Sequence, residues 1–178
     1  MTTTTKLGLI VRALAFAAHK HRDQRRKDAE ASPYINHPIT LADILINEGG
    51  IADEDVICAA LLHDTIEDTQ TTAAELEQHF CEKITRIVLE VTDDKSLPKA
   101  ERKRLQIEHA GGSSREAQLV KLADKISNLR DVAKSPPVGW PLKRQQEYFD
   151  WAKAVIDQIR PVHPGLAAVF DEAYARKP

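Results

Sequence analysis

Ala59-Ala60-Leu61-Leu62-His63-Asp64-Thr65-Ile66-Glu67-Asp68-Thr69 is the stretch on which the reading of this chain turns. Asp53 lies a few residues upstream, with Glu54 and Asp55 after it, a pattern that suits a helix N-cap with acids at the positive helix end. The helix so started is predicted to run Val56–Glu67. Through Ile57, Ala59, Ala60, Leu61 and Leu62 it is apolar nearly all round, which marks a central, buried helix. Its last turn then changes character. At about 100° per residue, His63, Asp64, Glu67 and Asp68 fall within one arc of roughly 140°. Three carboxylates crowd the negative end of a helix dipole and repel one another. A bound cation would relieve both penalties. The alternative is a frayed, solvated turn, since a lone His-Asp dipeptide carries little information.

Outward from this stretch the signals remain helical. A first helix is expected from about Thr5 to Lys20, and a second has Pro38 in its first turn and Gly49–Gly50 as its stop. Thr72 and Glu75 fit a capping box for a helix to Phe80. Ile84, Ile87, Val88 and Val91 repeat at helical spacing. Pro98 opens a basic helix that ends at Gly111–Gly112, and Ser113 or Ser114 caps the next, to about Ala133. Helices from about Leu142 to Ile159 and from Gly165 to Ala175 complete an all-α chain. No linker or repeat divides residues 1–178, so one domain is expected.

At 178 residues the chain can bury a core of its own. Its formal net charge of −2 argues against a general nucleic-acid binder. The apolar run Leu7–Ala18 is interrupted by Arg12, so neither a membrane span nor a signal peptide is expected, and a cytoplasmic location is the default. Cys58 and Cys81 form no CxxC pair and are read as small buried hydrophobes.

His37, placed at a helix start before Pro38, and Asp124, in Leu119-Val120-Lys121-Leu122-Ala123-Asp124, extend the set around His63 and Asp64. On that later helix Leu119, Leu122, Ala123 and Ile126 form a core stripe, while Lys121, Asp124 and Asn128 share the opposite face, which solvent exposure would also explain. Two imidazoles and two carboxylates suit a borderline divalent ion such as Mn²⁺, Fe²⁺, Co²⁺ or Zn²⁺. An ion held by four ligands leaves positions for water and a phosphoryl oxygen. Glu67 and Asp68 would orient that water or accept its proton. Arg26, Lys27, Lys99, Lys103, Arg104 and Lys121 supply positive charge for a phosphate; each alone reads more readily as solvated surface, and it is the set that points to phosphate. Tyr148 fits a nucleotide contact or the core, and Trp140 and Trp151 fit packing.

Four ordered segments, from about His19 to Trp151, resemble the hydrolase domain of the RelA/SpoT homologues, within the HD superfamily. They are Arg25-Arg26-Lys27 with Pro33-Tyr34-Ile35-Asn36-His37-Pro38; the stretch 59–69; Val91-Thr92-Asp93-Asp94-Lys95 with Leu97-Pro98-Lys99 and Glu101-Arg102-Lys103-Arg104; and Val120–Lys125 with Asn128-Leu129-Arg130-Asp131. The match is closest to stand-alone alarmone hydrolases of the animal SpoT-homologue type. The resemblance implies a single Mn²⁺ on His37, His63, Asp64 and Asp124, with Glu67 and Asp68 as the catalytic pair. It also implies substrate contacts from Arg26, Lys27, Lys99, Arg104, Lys121, Asn128 and Tyr148. The implied reaction removes the 3′-diphosphate of ppGpp or pppGpp, giving GDP or GTP and pyrophosphate, in a chain too short for the family's synthetase domain. Two positions depart from the pattern. Ala31 stands where related loops carry Gly, and Ser127 where relatives can carry an aromatic residue.

Two other readings use the same residues. One is a 2′-phosphatase of NADPH, or another nucleotide phosphohydrolase, on the same metal. The other is a sensor that binds alarmone without cleaving it, a role for which loss of a ligand or of the acidic pair would be expected.

Overall fold

The computed structural model describes residues 5–178. The first helix, α1 (Lys6–Lys20), is capped by the Thr5 hydroxyl, which accepts from Gly8 N at 3.1 Å. Its buried Ala13 and Ala17 carry no bulk, so α1 closes tightly on α3 (Glu54–Leu62). Asp53 caps α3 as predicted, accepting from Asp55 N and Val56 N. Every residue from Val56 to Leu62 is buried, so α3 is the axis of the molecule. Packed around it are α1, α2 (Asn36–Asp43), α6 (Glu82–Val91) and α8 (Arg115–Lys134).

The helix predicted over Val56–Glu67 is interrupted at His63-Asp64, and Thr65–Asp68 forms a separate single turn, α4. Side chains take over the carbonyls that a continuing helix would have used. The Thr65 hydroxyl donates to Leu62 O at 2.7 Å, and His63 Nδ1 bonds Ala60 O at 2.8 Å. Glu67 and Asp68 therefore belong to their own turn rather than to the negative end of α3. The dipole penalty expected for them does not arise in that form; their mutual crowding does.

After α2 the chain makes one wide π turn, Ile44–Glu48, and stops at the predicted glycines. A Cβ at Gly49 would lie 2.8 Å from Leu45 O and 2.9 Å from Leu166 Cδ1, so only glycine lets α10 (Pro164–Tyr174) pack here. Helix α5 (Ala73–His79) is capped by Thr72. Helix α7 (Lys99–Ala110) follows Pro98, and Ser114 rather than Ser113 caps α8. Helix α9 (Leu142–Ile156) ends three residues before the predicted boundary, where the 3₁₀ turn Arg160–Val162 with Pro161 takes over. Helix α8 has no solvent face of the expected kind. Lys125 and Ser127 are buried along with its apolar stripe, so the side bearing Asp124 looks into the protein.

Cys58 is buried, and burial pushes its thiol up to about 12. Cys81 is exposed at the start of α6, against expectation, because an N-cap lies outside the helix packing face. No described helix is long and apolar enough to cross a membrane.

The loop between α1 and α2 is pinned by an isolated bridge between Arg25 and Pro33 and by Arg26 N donating to Ser32 O at 2.8 Å. To make that turn Ala31 adopts φ 49°, the left-handed region that glycine enters without steric cost. A non-glycine residue there costs roughly 1–2 kcal/mol, against roughly 0.4–1 kcal/mol for the extra unfolded-state freedom of glycine. Ala31→Gly should therefore stabilise the protein by about 0.5 kcal/mol, raising its melting temperature by about 1–2 °C in a thermal unfolding scan.

Candidate metal centre and phosphate cleft

His37 enters from the first turn of α2, His63 from the end of α3 and Asp124 from the middle of α8. Their nearest donor atoms all lie within 4.8 Å of one another. Both imidazoles are oriented from behind. His63 Nδ1 is bonded to Ala60 O and His37 Nδ1 to Ser127 Oγ, at 3.2 Å. In each ring this leaves Nε2 facing the cluster, where His37 Nε2 lies 3.2 Å from Asp124 Oδ1. Imidazoles fixed through Nδ1, with Nε2 converging on a carboxylate, fit a divalent metal and its outer support. Ser127 is thus the group behind His37; it does not line the open space beside the cluster.

Asp64 stands at the edge of this cluster. Its Oδ2 lies 2.9 Å from His63 Nε2 and also accepts the Tyr34 hydroxyl. Burial opposes charge on Asp64, but the facing His63 holds its carboxyl well below the usual range. Burial likewise opposes charge on His63, yet Asp64 and Asp124 push it up to about 9. Asp124 is held further by Lys125 Nζ, at 2.9 Å, and by Asn128 Nδ2, at 2.6 Å. The Lys125 ammonium also sits 4.5 Å from the Trp151 ring centre. Neither Lys125 nor Tyr34 was singled out by sequence reasoning, although both lie inside the quoted motifs. Spacing alone does not show that a lysine is buried.

Glu67 and Asp68 flank the cluster from α4. Glu67 Oε2 accepts from Asp93 N at 3.2 Å, and Oε1 lies 3.9 Å from Lys95 Nζ and 3.8 Å from Arg102 Nη1. Burial, then the charge of Asp64, pushes the Glu67 carboxyl up to about 7. Asp68 Oδ1 pairs with Lys95, and Oδ2 accepts from Gln24 at 3.0 Å.

A chamber of about 360 Å³ lies over these groups and opens beside a cleft of about 580 Å³. Arg26, Lys27, Asn128 and Tyr148 line both, and Lys121 lines the chamber. Burial and the nearby Lys125 lower the Lys121 pKa. Arg26 is swung to Asp131, at 2.5 Å, and lies 5.8 Å from the Tyr34 ring centre. Tyr148 faces the cleft while packing on Trp140 and Trp151 at 5.6 and 5.3 Å. Trp140 also lines the cleft rather than only packing. Lys99 is exposed; burial of part of its chain, then Arg144, Lys27 and Arg102, lower its pKa, which places it among the cations near Lys27. Arg104 is not brought to the cleft. It pairs with Glu101 and Glu108 on the outer side of α7, while Arg102 and Lys103 of the same helix turn inward.

A metal requires neutral imidazole, whereas His63 is protonated at neutral pH without one. Metal binding at pH 7 should therefore release a proton. Apparent affinity should climb about tenfold per pH unit and level off near pH 9. Calorimetric titration of Mn²⁺ in buffers of different ionisation enthalpy measures that proton directly. Ser127→Ala, which frees His37 Nδ1, should weaken metal binding by about tenfold in the same titration.

Comparison with known proteins bears on this geometry. The HD domain family matches residues 13–147. The guanosine-3′,5′-bis(diphosphate) 3′-pyrophosphohydrolase MESH1 of Homo sapiens is 60% identical over 168 residues, covering 94% of each chain. Its Xenopus tropicalis counterpart is 55% identical over 167 residues, covering 94% of this chain and 93% of the relative. A solved structure, described as a metazoan orthologue of SpoT that hydrolyses ppGpp, superposes with a TM-score of 0.93 at 46% identity, covering 99% of this chain and 98% of that one. The chain belongs to the HD domain family, among the animal SpoT homologues.

Proposed function

We propose that this protein is a metal-dependent (p)ppGpp 3′-pyrophosphohydrolase, converting ppGpp to GDP and pppGpp to GTP with release of pyrophosphate. The observation that carries the choice of substrate is the near-full-length likeness to a human protein named for this reaction. The site supports the chemistry. His37, His63 and Asp124 converge as ligands, and Asp64 stands beside them with its Oδ2 given to Tyr34 and His63. The ion we infer is Mn²⁺, which when bound supplies Lewis-acid activation of water and of the phosphoryl group.

The chain's own residues do the rest. A water oxygen bonds to the phosphorus attached to the ribose 3′ oxygen, and the P–O3′ bond breaks. Glu67 takes the water proton; a carboxyl raised to about 7 by burial is basic enough to do so near neutral pH. Asp68, beside it on α4, orients the same water. The leaving 3′ oxygen takes up a proton and remains on the nucleoside. Lys121 faces the diphosphate in the chamber, while Arg26, Lys27 and Asn128 line the passage to the cleft, where Tyr148 offers an aromatic face to the base. Arg26 would leave Asp131 for phosphate on binding. With all six ligand and acidic positions occupied by competent residues, a sensor without turnover is not needed, and no observation calls for the NADPH reading.

Metal-stripped protein should leave ppGpp intact. Added Mn²⁺ should restore GDP and pyrophosphate, resolved by ion-exchange chromatography; turnover of NADPH with ppGpp untouched would overturn the assignment. Glu67→Gln should keep metal stoichiometry and lower kcat by about 10²–10⁴-fold, the usual contribution of a positioned general base. Asp64→Ala should lose the metal itself, read by elemental analysis.

A further inference from the structure

Gln24 lines the cleft, and the chemistry described so far uses it only as the partner of Asp68. It sits in the turn after α1, with its backbone N bonded to His21 O at 2.9 Å and its carbonyl accepting from Tyr34 N at 3.1 Å. Its Nε2 donates to Asp68 Oδ2 at 3.0 Å, and its Oε1 lies 2.6 Å from His21 Nδ1. The polarity of this chain of bonds is fixed from one end. An ionised carboxylate only accepts, so the amide nitrogen must face Asp68; the amide oxygen, also only an acceptor, must then face His21, whose Nδ1 must carry a proton.

His21 is 2% exposed, and its Nε2 is buried with no hydrogen-bond partner. In the Nδ1–H tautomer that atom is a bare lone pair, a cheaper orphan than a buried N–H. The ring lies 4.8 Å from that of Tyr34, whose hydroxyl serves Asp64. The other oxygen of Asp68 is held by Lys95, a side chain 49% exposed that Glu67 Oε1 shares at 3.9 Å. Of the two supports of Asp68, only Gln24 stands on a backbone pinned at both N and O.

We propose that Gln24 is a positioning residue, its amide held in one orientation by His21 so that the Asp68 carboxylate stays aimed into the metal chamber. The proposal rests on the assignment of Asp68 to orienting the attacking water. His21 acts one step further back. Its imidazole sets which end of the amide Asp68 meets, and without it the amide can present oxygen to a carboxylate.

The test compares Mn²⁺-loaded wild type, Gln24→Leu, Asp68→Asn and the double variant in steady-state ppGpp hydrolysis, with melting temperatures as the folding control. Leucine keeps the size and removes the donor. Gln24→Leu should lower kcat by about tenfold while KM changes by less than about twofold, and should add no further loss on top of Asp68→Asn. His21→Phe keeps the ring against Tyr34 and should lower kcat by about threefold, again only when Asp68 is present.

An independent readout comes from nitrogen-15 NMR of the metal-free protein. The Gln24 side-chain amide protons should exchange slowly with water, and His21→Phe should speed that exchange. A kcat unchanged by Gln24→Leu while Asp68→Asn is impaired overturns the positioning role alone. So does an equal loss in both backgrounds, a change confined to KM, or fast amide exchange in wild type. Wild-type kcat in Asp68→Asn removes the role of Asp68 itself, and the proposal with it.

Discussion

Asp124 is a carboxylate enclosed where α2, α3 and α8 meet, and a charge so placed must be compensated from every side. His37, Lys125 and Asn128 each give it a contact, and His63 gives it positive charge across the cluster. Those partners come from three helices, so satisfying one carboxylate fixes how the helices sit relative to one another. Lys125 is itself enclosed, held charged by Asp124 against the opposing effect of burial and roofed by the Trp151 ring. Helix α9 is thereby tied to the same point.

The break in α3 follows from the same constraint. A continuous helix would have carried Glu67 and Asp68 onward along the axis of α3 on a rigid rod. By giving the last carbonyls of α3 to His63 and Thr65 side chains, the chain stops at the cluster and restarts as one turn that carries Glu67 and Asp68. The acidic pair can then face the ligands without extending the core helix. The raised carboxyl of Glu67 is the electrostatic consequence: burial and a fixed negative neighbour hold it near the pH at which it is useful as a base.

The loop 22–35 closes the arrangement from outside. It bears Gln24, Arg26, Lys27 and Tyr34 within a short span. Its turn is tight enough to force Ala31 into a left-handed conformation, and Val138 N donates to Lys27 O at 2.9 Å, joining it to the segment before α9. Phosphate-facing cations and the support of the acidic pair thus share one pinned segment.

How much of this was legible in the sequence depends on the range of the forces involved. Helix starts at Thr5, Asp53, Thr72 and Ser114, the stop at Gly49–Gly50 and the buried character of α3 are set by contacts within a few residues, and caps and periodicity reveal them. The ligand residues were legible as types in motifs. Local pattern specifies an all-helical chain and the inventory of groups at its site. What those groups face is set by the packing of the helices. That packing turns Arg104 outward on α7 and Arg102 inward, buries Lys125 and puts Ser127 behind His37. It also hangs Asp68 on Gln24, 44 residues away in the chain, and leaves Asp64 on Tyr34. Each of these is a contact between helices or loops distant in sequence, set by how α7, α8 and the loop 22–35 rotate to satisfy buried charge, and no local pattern encodes that rotation.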